Sequence, residues 1–161
     1  MRVGLASLVL LGIGCTADQP PKTEGKSPTP TVAPRPVPPP PPPPIVVTIA
    51  SNEAKEVKAR QYLDYKFSLP DRSCRISGKI EGVKGGDRDF EALLLDHANF
   101  RNWVAGQSAN AIESGRKVVW SFDETIPGEA NWHLVVSNTF SAVTPKAVTV
   151  DAKAVCLATE P

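Results

Sequence analysis

Two stretches of the chain place apolar side chains at every second position. They are "LDYKFSL" (63–69) and "CRISGKI" (74–80), in which polar residues such as Lys66 and Lys79 occupy positions in between. Since successive side chains of a β-strand point to opposite faces, this period of two predicts strands with one face in a core and the other in water. A helix would instead repeat its apolar positions every three or four residues.

Further apolar runs follow at residues 90–95, 117–122, 131–137 and 147–157. Turn-forming residues separate the runs, at Gly85-Gly86, Gly115, Pro127-Gly128 and Thr144-Pro145. Short strands with this spacing are typical of an antiparallel β-sandwich. We therefore predict an all-β domain over residues 45–161, which is long enough for a single core.

The first 14 residues have the layout of a secretory signal. Arg2 precedes the apolar run "VGLASLVLLGIG" (3–14), and Cys15 follows it. Because the run is shorter than the roughly 20 residues that span a bilayer as a helix, we predict an export signal. A cysteine at this point resembles the signal of bacterial lipoproteins, which implies that Cys15 carries lipid, although Gly12 stands where that signal usually has a large aliphatic residue. The alternative is ordinary cleavage after Ala17.

Residues 15–44 are predicted to be a linker. Beyond Asp18 the segment has almost no large apolar side chains, so it cannot bury enough surface to offset the entropy of ordering. The seven prolines Pro38 to Pro44 favour an extended polyproline II rod of about 3.1 Å per residue. We predict a disordered, proline-rich stalk. A ligand for an SH3-type partner is the alternative.

The chain has three cysteines, Cys15, Cys74 and Cys156. If the first carries lipid, the other two form an even pair in an oxidising compartment, where a disulfide is expected. A bridge between them closes a loop of about 80 residues, worth roughly 4–5 kcal/mol in the disputed chain-entropy argument. Two buried free thiols are the alternative, because spacing alone does not bring the sulfurs together.

The stretch "HLVVSNTFSAVTPKAVTV" (133–150) resembles the last third of the GOLD (Golgi dynamics) domain, a β-sandwich of cargo receptors in the early secretory pathway. The glycine turn Pro127-Gly128, the corner residues Asn138, Phe140 and Ser141, and Lys146 stand where that pattern has them. The resemblance implies a GOLD-like or jelly-roll-like sandwich that binds protein or lipid. Val135 replaces a cysteine of the eukaryotic proteins, which implies that the bridge uses Cys156, and no C-terminal membrane helix or coiled coil is seen, so trafficking is not implied.

Within that stretch, Ser137 to Ser141 is a polar, turn-prone cluster between two apolar runs. Asn138 tolerates left-handed backbone angles and its amide can bond nearby backbone groups, while Phe140 can fold back over the open end of the sandwich. We interpret Asn138, Phe140 and Ser141 as a structural corner. A ligand-binding loop is the alternative, since loops on rigid scaffolds often carry function.

Charge excludes one class of partner. Lys and Arg number 18 and Asp and Glu 17, with no block of like charge, so we expect no nucleic-acid binding. Asp87, Asp89 and Glu91 have a partial calcium-ligand spacing but lack the full loop pattern, and a solvated acidic strand start is the preferred interpretation. We predict no metal and no cofactor.

Catalysis finds little support in the sequence. The two imidazoles are His97 and His133, and the chain lacks a G-x-S-x-G motif. His133 is expected on a strand, at the surface or half-buried. Asp96 and His97 are neighbours, and neighbours on a strand point to opposite faces, so a relay between them is not expected. We predict no catalytic residues.

The stretch "DHANFRNWVAGQSAN" (96–110) is the strongest candidate for recognition, because it is long for a connection in a sandwich. Its binding candidates are Asn99, Phe100, Arg101 and Trp103, since aromatic residues and arginine dominate binding hot spots. In the competing interpretation Trp103 plugs the edge of the sandwich and Phe100 fills the core.

Together these patterns predict a non-enzymatic lipoprotein of the bacterial envelope, attached by its N-terminal lipid and placed in the outer membrane, on its periplasmic side or at the cell surface. Its sandwich is expected to bind another envelope protein or a lipid-like ligand. The alternatives are a hydrolytic enzyme of the envelope and a passive spacer or assembly subunit.

Overall fold

A computed structural model describes residues 40–128 and 131–157, and they form an antiparallel β-sandwich as predicted. One sheet has the strand order β1-β8-β3-β6 and the other β2-β7-β4-β5. The elements are β1 (Ile45–Val57), β2 (Tyr62–Phe67), β3 (Cys74–Lys84), β4 (Phe90–Asp96), α1 (His97–Val104), β5 (Ile112–Lys117), β6 (Val119–Ile126), β7 (Trp132–Ser137) and β8 (Lys146–Cys156).

The core lies between the two sheets and uses the alternate positions that the sequence pattern singled out. Ile76 and Ile80 of β3 are fully buried, as are Leu134 and Val136 of β7. On β8 the buried positions alternate with more exposed ones along most of the strand, as expected for a strand with one face in the core.

The Cys74–Cys156 disulfide is present. The two cysteines are Cα partners in the antiparallel pairing of β3 with β8, and their Cα atoms lie 4.2 Å apart. The bridge joins residues 82 positions apart, at the ends of two central strands. The interpretation of these cysteines as free thiols was therefore wrong.

Two strands and a helix were not predicted. β1 and β5 are edge strands with few buried positions, so neither carries a clear alternating pattern. Gly115, expected as a turn between strands, lies inside β5 at a φ of 60°, near the register shift between Glu91 and Leu93 of β4. The segment predicted as one long loop, 96–110, instead begins with the helix α1.

The predicted signal sequence at 1–14, the predicted lipid on Cys15 and residues 15–39 of the predicted linker lie outside the described residues. Within residues 40–128 and 131–157, no helix has the length and apolar character needed to cross a membrane.

Candidate functional site

Helix α1 is fixed at its start by Asp96, the last residue of β4. One carboxylate oxygen of Asp96 accepts the backbone N–H of Asn99 at 2.8 Å, which caps the helix, and the other accepts the Asn99 amide at 2.6 Å. The Asn99 side-chain oxygen in turn accepts the N–H of Asn110 at 2.9 Å. Asn99, a predicted binding residue, therefore ties the helix to the segment that returns to β5.

Phe100 and Trp103 pack on the outer face of the β2-β7-β4-β5 sheet. Both are half-buried against a small apolar cluster of Leu93, Leu95 and Val135, separate from the core between the sheets. Tyr62 meets Trp103 edge to face, with 5.0 Å between ring centroids. Phe100 therefore lies outside the main core that the competing interpretation assigned to it, and Trp103 covers a sheet face, not an edge.

Arg101 is the exposed member of the predicted binding set. It lines a shallow cleft of about 440 Å³ together with Ala98, Asn102, Ala105 and Gln107. This cleft runs along the side of α1 that faces away from the sheet. Of the four predicted residues, Arg101 alone has a side chain that belongs mainly to the surface.

A second cleft, of about 280 Å³, lies where α1 begins. Its walls include Leu94, Ile112 and Trp132, and its rim includes Asp96 and Asn110. The indole N–H of Trp132 is buried and has no hydrogen-bond partner among the described residues.

A chain of hydrogen bonds runs from the sheet to the helix through both histidines. Asp64 of β2 contacts Nδ1 of His133 with its two carboxylate oxygens at 2.9 and 3.1 Å, and Nε2 of His133 lies 3.0 Å from Nδ1 of His97. Phe100 stacks on His133, with ring centroids 3.9 Å apart and 4° between the planes. The sequence reasoning did not identify Asp64 or this arrangement.

Two expectations about these histidines were wrong. His133 is only 2% exposed, since Phe100 covers its ring on the outer face of the sheet. His97 is in a helix and does not continue the strand, so its position relative to Asp96 does not decide its partner. The carboxylate that contacts His133 belongs to Asp64 of β2. Asp64 is diagonal to His133 across the β2-β7 pair, where the Cα partner of His133 is Lys66.

Asn138 is fully buried at the junction of β7 with the segment leading to β8. Its amide donates to the carbonyls of Val57, Lys58 and Thr144 at 3.2, 3.3 and 2.9 Å. The left-handed backbone angle expected at Asn138 occurs instead at Arg60, with a φ of 62°. The N–H of Arg60 contacts the carbonyls of both Asn138 and Ser141. The corner thus holds the turn between β1 and β2.

Phe140 lies under two cations. The guanidinium of Arg116 is 4.1 Å from the Phe140 ring centroid, and Lys146 Nζ is 5.9 Å away. Both cations also bind Asp89, Lys146 at 2.5 Å and Arg116 at 2.6 Å. The hydrogen bond from Lys146, helped by that from Arg116, holds the pKa of Asp89 below its usual range despite partial burial. Asp89 is thus not the solvated strand start that we expected.

No protein-family model and no curated protein matches the chain. Across the two described ranges, no three His, Cys, Asp or Glu side chains come together as ligands for a metal ion.

Proposed function

We propose that the protein is an exported lipoprotein whose β-sandwich is a binding module for another protein of the bacterial envelope. In this proposal lipid on Cys15 attaches the chain to the membrane, and the proline-rich segment up to Pro44 carries the sandwich away from it. The GOLD-like corner at Asn138, Phe140 and Ser141 belongs to the scaffold.

The observation that carries the binding proposal is the way α1 presents Arg101. The helix is capped by Asp96 and held to the sheet by Phe100 and Trp103, so its outer side is a fixed platform. A side chain on such a platform loses little further entropy when a partner binds. Arginine is also among the residues that most often dominate binding energy.

The shapes of the clefts favour a protein partner over a lipid-like one. Ligand pockets for small molecules commonly have roughly 300–1,000 Å³ and mostly apolar walls. The cleft at Trp132 has about 280 Å³, which is small for an acyl chain. The cleft at Arg101 is larger, about 440 Å³, but it is shallow and three of its five lining side chains are polar. Such a surface suits the polar rim of a protein interface.

Crosslinking of the tagged full-length protein in cells, followed by affinity measurement with the captured partner, tests this proposal. Arg101→Ala should weaken binding by about 1–2 kcal/mol, or roughly 5–30-fold in Kd, with an unchanged melting temperature. Arg75→Ala is the matched control, since Arg75 is an exposed arginine on the other sheet. Equal affinities for wild type and Arg101→Ala would show that the outer side of α1 is not the binding surface. Binding to phospholipid vesicles alone would favour the lipid-like ligand.

A further inference from the structure

The hydrogen-bonded chain Asp64–His133–His97 connects a carboxylate to an exposed imidazole through a buried one. His133 is 2% exposed, whereas His97 is exposed at the first position of α1. The planes of the two rings make an angle of 24° and their centroids are 5.3 Å apart, while the facing nitrogens are 3.0 Å apart. The rings therefore meet edge to edge, with one nitrogen of each facing the other.

This geometry fixes where the protons are when both imidazoles are neutral. An ionised carboxylate only accepts hydrogen bonds, so Nδ1 of His133 carries its proton toward Asp64. Nε2 of His133 then has a lone pair and accepts from Nδ1–H of His97. As a result, the lone pair of His97 is on Nε2, the nitrogen not engaged in the chain.

We propose that Nε2 of His97 is a nucleophile toward small activated carboxylic esters, with His133 and Asp64 as its proton relay. The order of groups is that of a carboxylate–histidine–nucleophile triad, in which His97 occupies the place of the hydroxyl group. His97 is the catalytic residue, because it bonds to the substrate. His133 and Asp64 are positioning residues that act through it.

The reaction balances with water as the only co-reactant. Nε2 of His97 attacks the ester carbonyl, the bond to the leaving oxygen breaks, and the His97 Nδ1 proton moves to Nε2 of His133, whose positive charge Asp64 stabilises. Water then attacks the acyl carbon and the bond to Nε2 breaks, while His133 returns its proton to Nδ1. The two protons of that water pass through solvent to the alcohol and the acid, so one ester and one water yield one acid and one alcohol.

This activity goes beyond the proposed binding function and runs against the expectation of a domain without catalytic residues. The competing interpretation is that the relay only fastens α1 to the sheet. A purely structural hydrogen bond requires the same tautomer of His97, because Nε2 of His133 accepts from Nδ1–H of His97 in both interpretations. The tautomer of His97 is therefore a precondition of the proposal, and the reactivity of its Nε2 separates the two interpretations.

Nitrogen-resolved NMR of the full-length wild-type protein tests the tautomer. The chain has only two histidines, so both imidazoles can be assigned. When both imidazoles are neutral we expect His97 with a proton on Nδ1 and a bare Nε2, and His133 in the same form. A proton on Nε2 of neutral His97 would overturn the proposal, and this measurement needs no variant to fold.

Hydrolysis of p-nitrophenyl acetate by the full-length protein tests the reactivity. His97→Gln should lower the protein-dependent rate at least about tenfold, which is less than the 10²–10⁴-fold effect of optimised acid–base groups. Asp64→Asn should lower it several-fold through the relay, and Lys153→Gln on the other sheet should leave it unchanged. Circular dichroism confirms folding of each variant. Equal rates for wild type and His97→Gln would contradict the proposed nucleophile, whichever tautomer His97 has. That result would not affect the binding test with Arg101→Ala.

Discussion

Asn138 shows how one side chain joins two segments that are distant in sequence. Its amide nitrogen faces three carbonyls, so the orientation of the amide follows from its surroundings. Two of those carbonyls, of Val57 and Lys58, belong to the end of β1 and the turn after it. The residue type was predictable from its turn chemistry. The partners were not, because they depend on tertiary contacts about 80 residues away.

Asn138→Ala is expected to destabilise the fold by about 1–3 kcal/mol, because buried carbonyls lose their donor. Asn138→Asp keeps the shape but aims an acceptor at three acceptors, so it should cost at least as much. Val143→Ala, at a residue that is 83% exposed in the same segment, is the control. Thermal and denaturant unfolding measure all three. An unchanged stability for both Asn138 variants would mean that the corner is not structural.

At the scale of elements, strands with clear alternation or a continuous apolar run were predicted, and two edge strands whose pairing contains register shifts were missed. The strands predicted from the alternation at 63–69 and 74–80 are confirmed as β2 and β3, while β1 and β5 are edge strands with little burial. Helix α1 was not predicted because it is only eight residues long and none of its side chains is fully buried. The pairing of Asp64 with His133 requires the register of β2 against β7, which no local pattern contains.

The attachment of α1 to the sheet can be tested through Trp103. Trp103→Ala should cost about 2 kcal/mol of stability, below the 3–5 kcal/mol typical of a fully buried aromatic residue, because Trp103 is only half-buried. It should also speed hydrogen exchange at the amides of α1, since the helix loses its contact with Tyr62. Val104→Ala, at the last residue of the helix and 52% exposed, is the matched control. If Trp103→Ala equalled the control in stability and in hydrogen exchange, Trp103 would not fasten the helix to the sheet and would again be a candidate binding residue.

At the scale of the whole molecule, the domain is stabilised by its core and by one cross-strand bridge, and function is proposed on one outer face of the sandwich. The Cys74–Cys156 bridge joins two central strands of one sheet, while α1 and both histidines lie on the outer face of the other. A partner or a substrate could therefore act at α1 without disturbing the bridged sheet. The predicted lipid anchor would keep the sandwich attached to the membrane at the distance that the proline-rich segment allows.

The anchor is tested by the lipid itself. Acyl chains on Cys15 would each bury many methylene groups at about 0.8 kcal/mol apiece, and several chains together give stable attachment where one does not. Cells supplied with an alkyne analogue of palmitate should label the wild-type protein, and Cys15→Ser should remove all labelling. Ser27→Ala, in the proline-rich segment, should be labelled like wild type. Intact-mass measurement adds a direct readout, because the mature chain should begin at Cys15 and carry the mass of its acyl groups. An unlabelled wild-type chain that begins at Asp18 would instead establish ordinary cleavage after Ala17, and with it an exported protein that has no lipid.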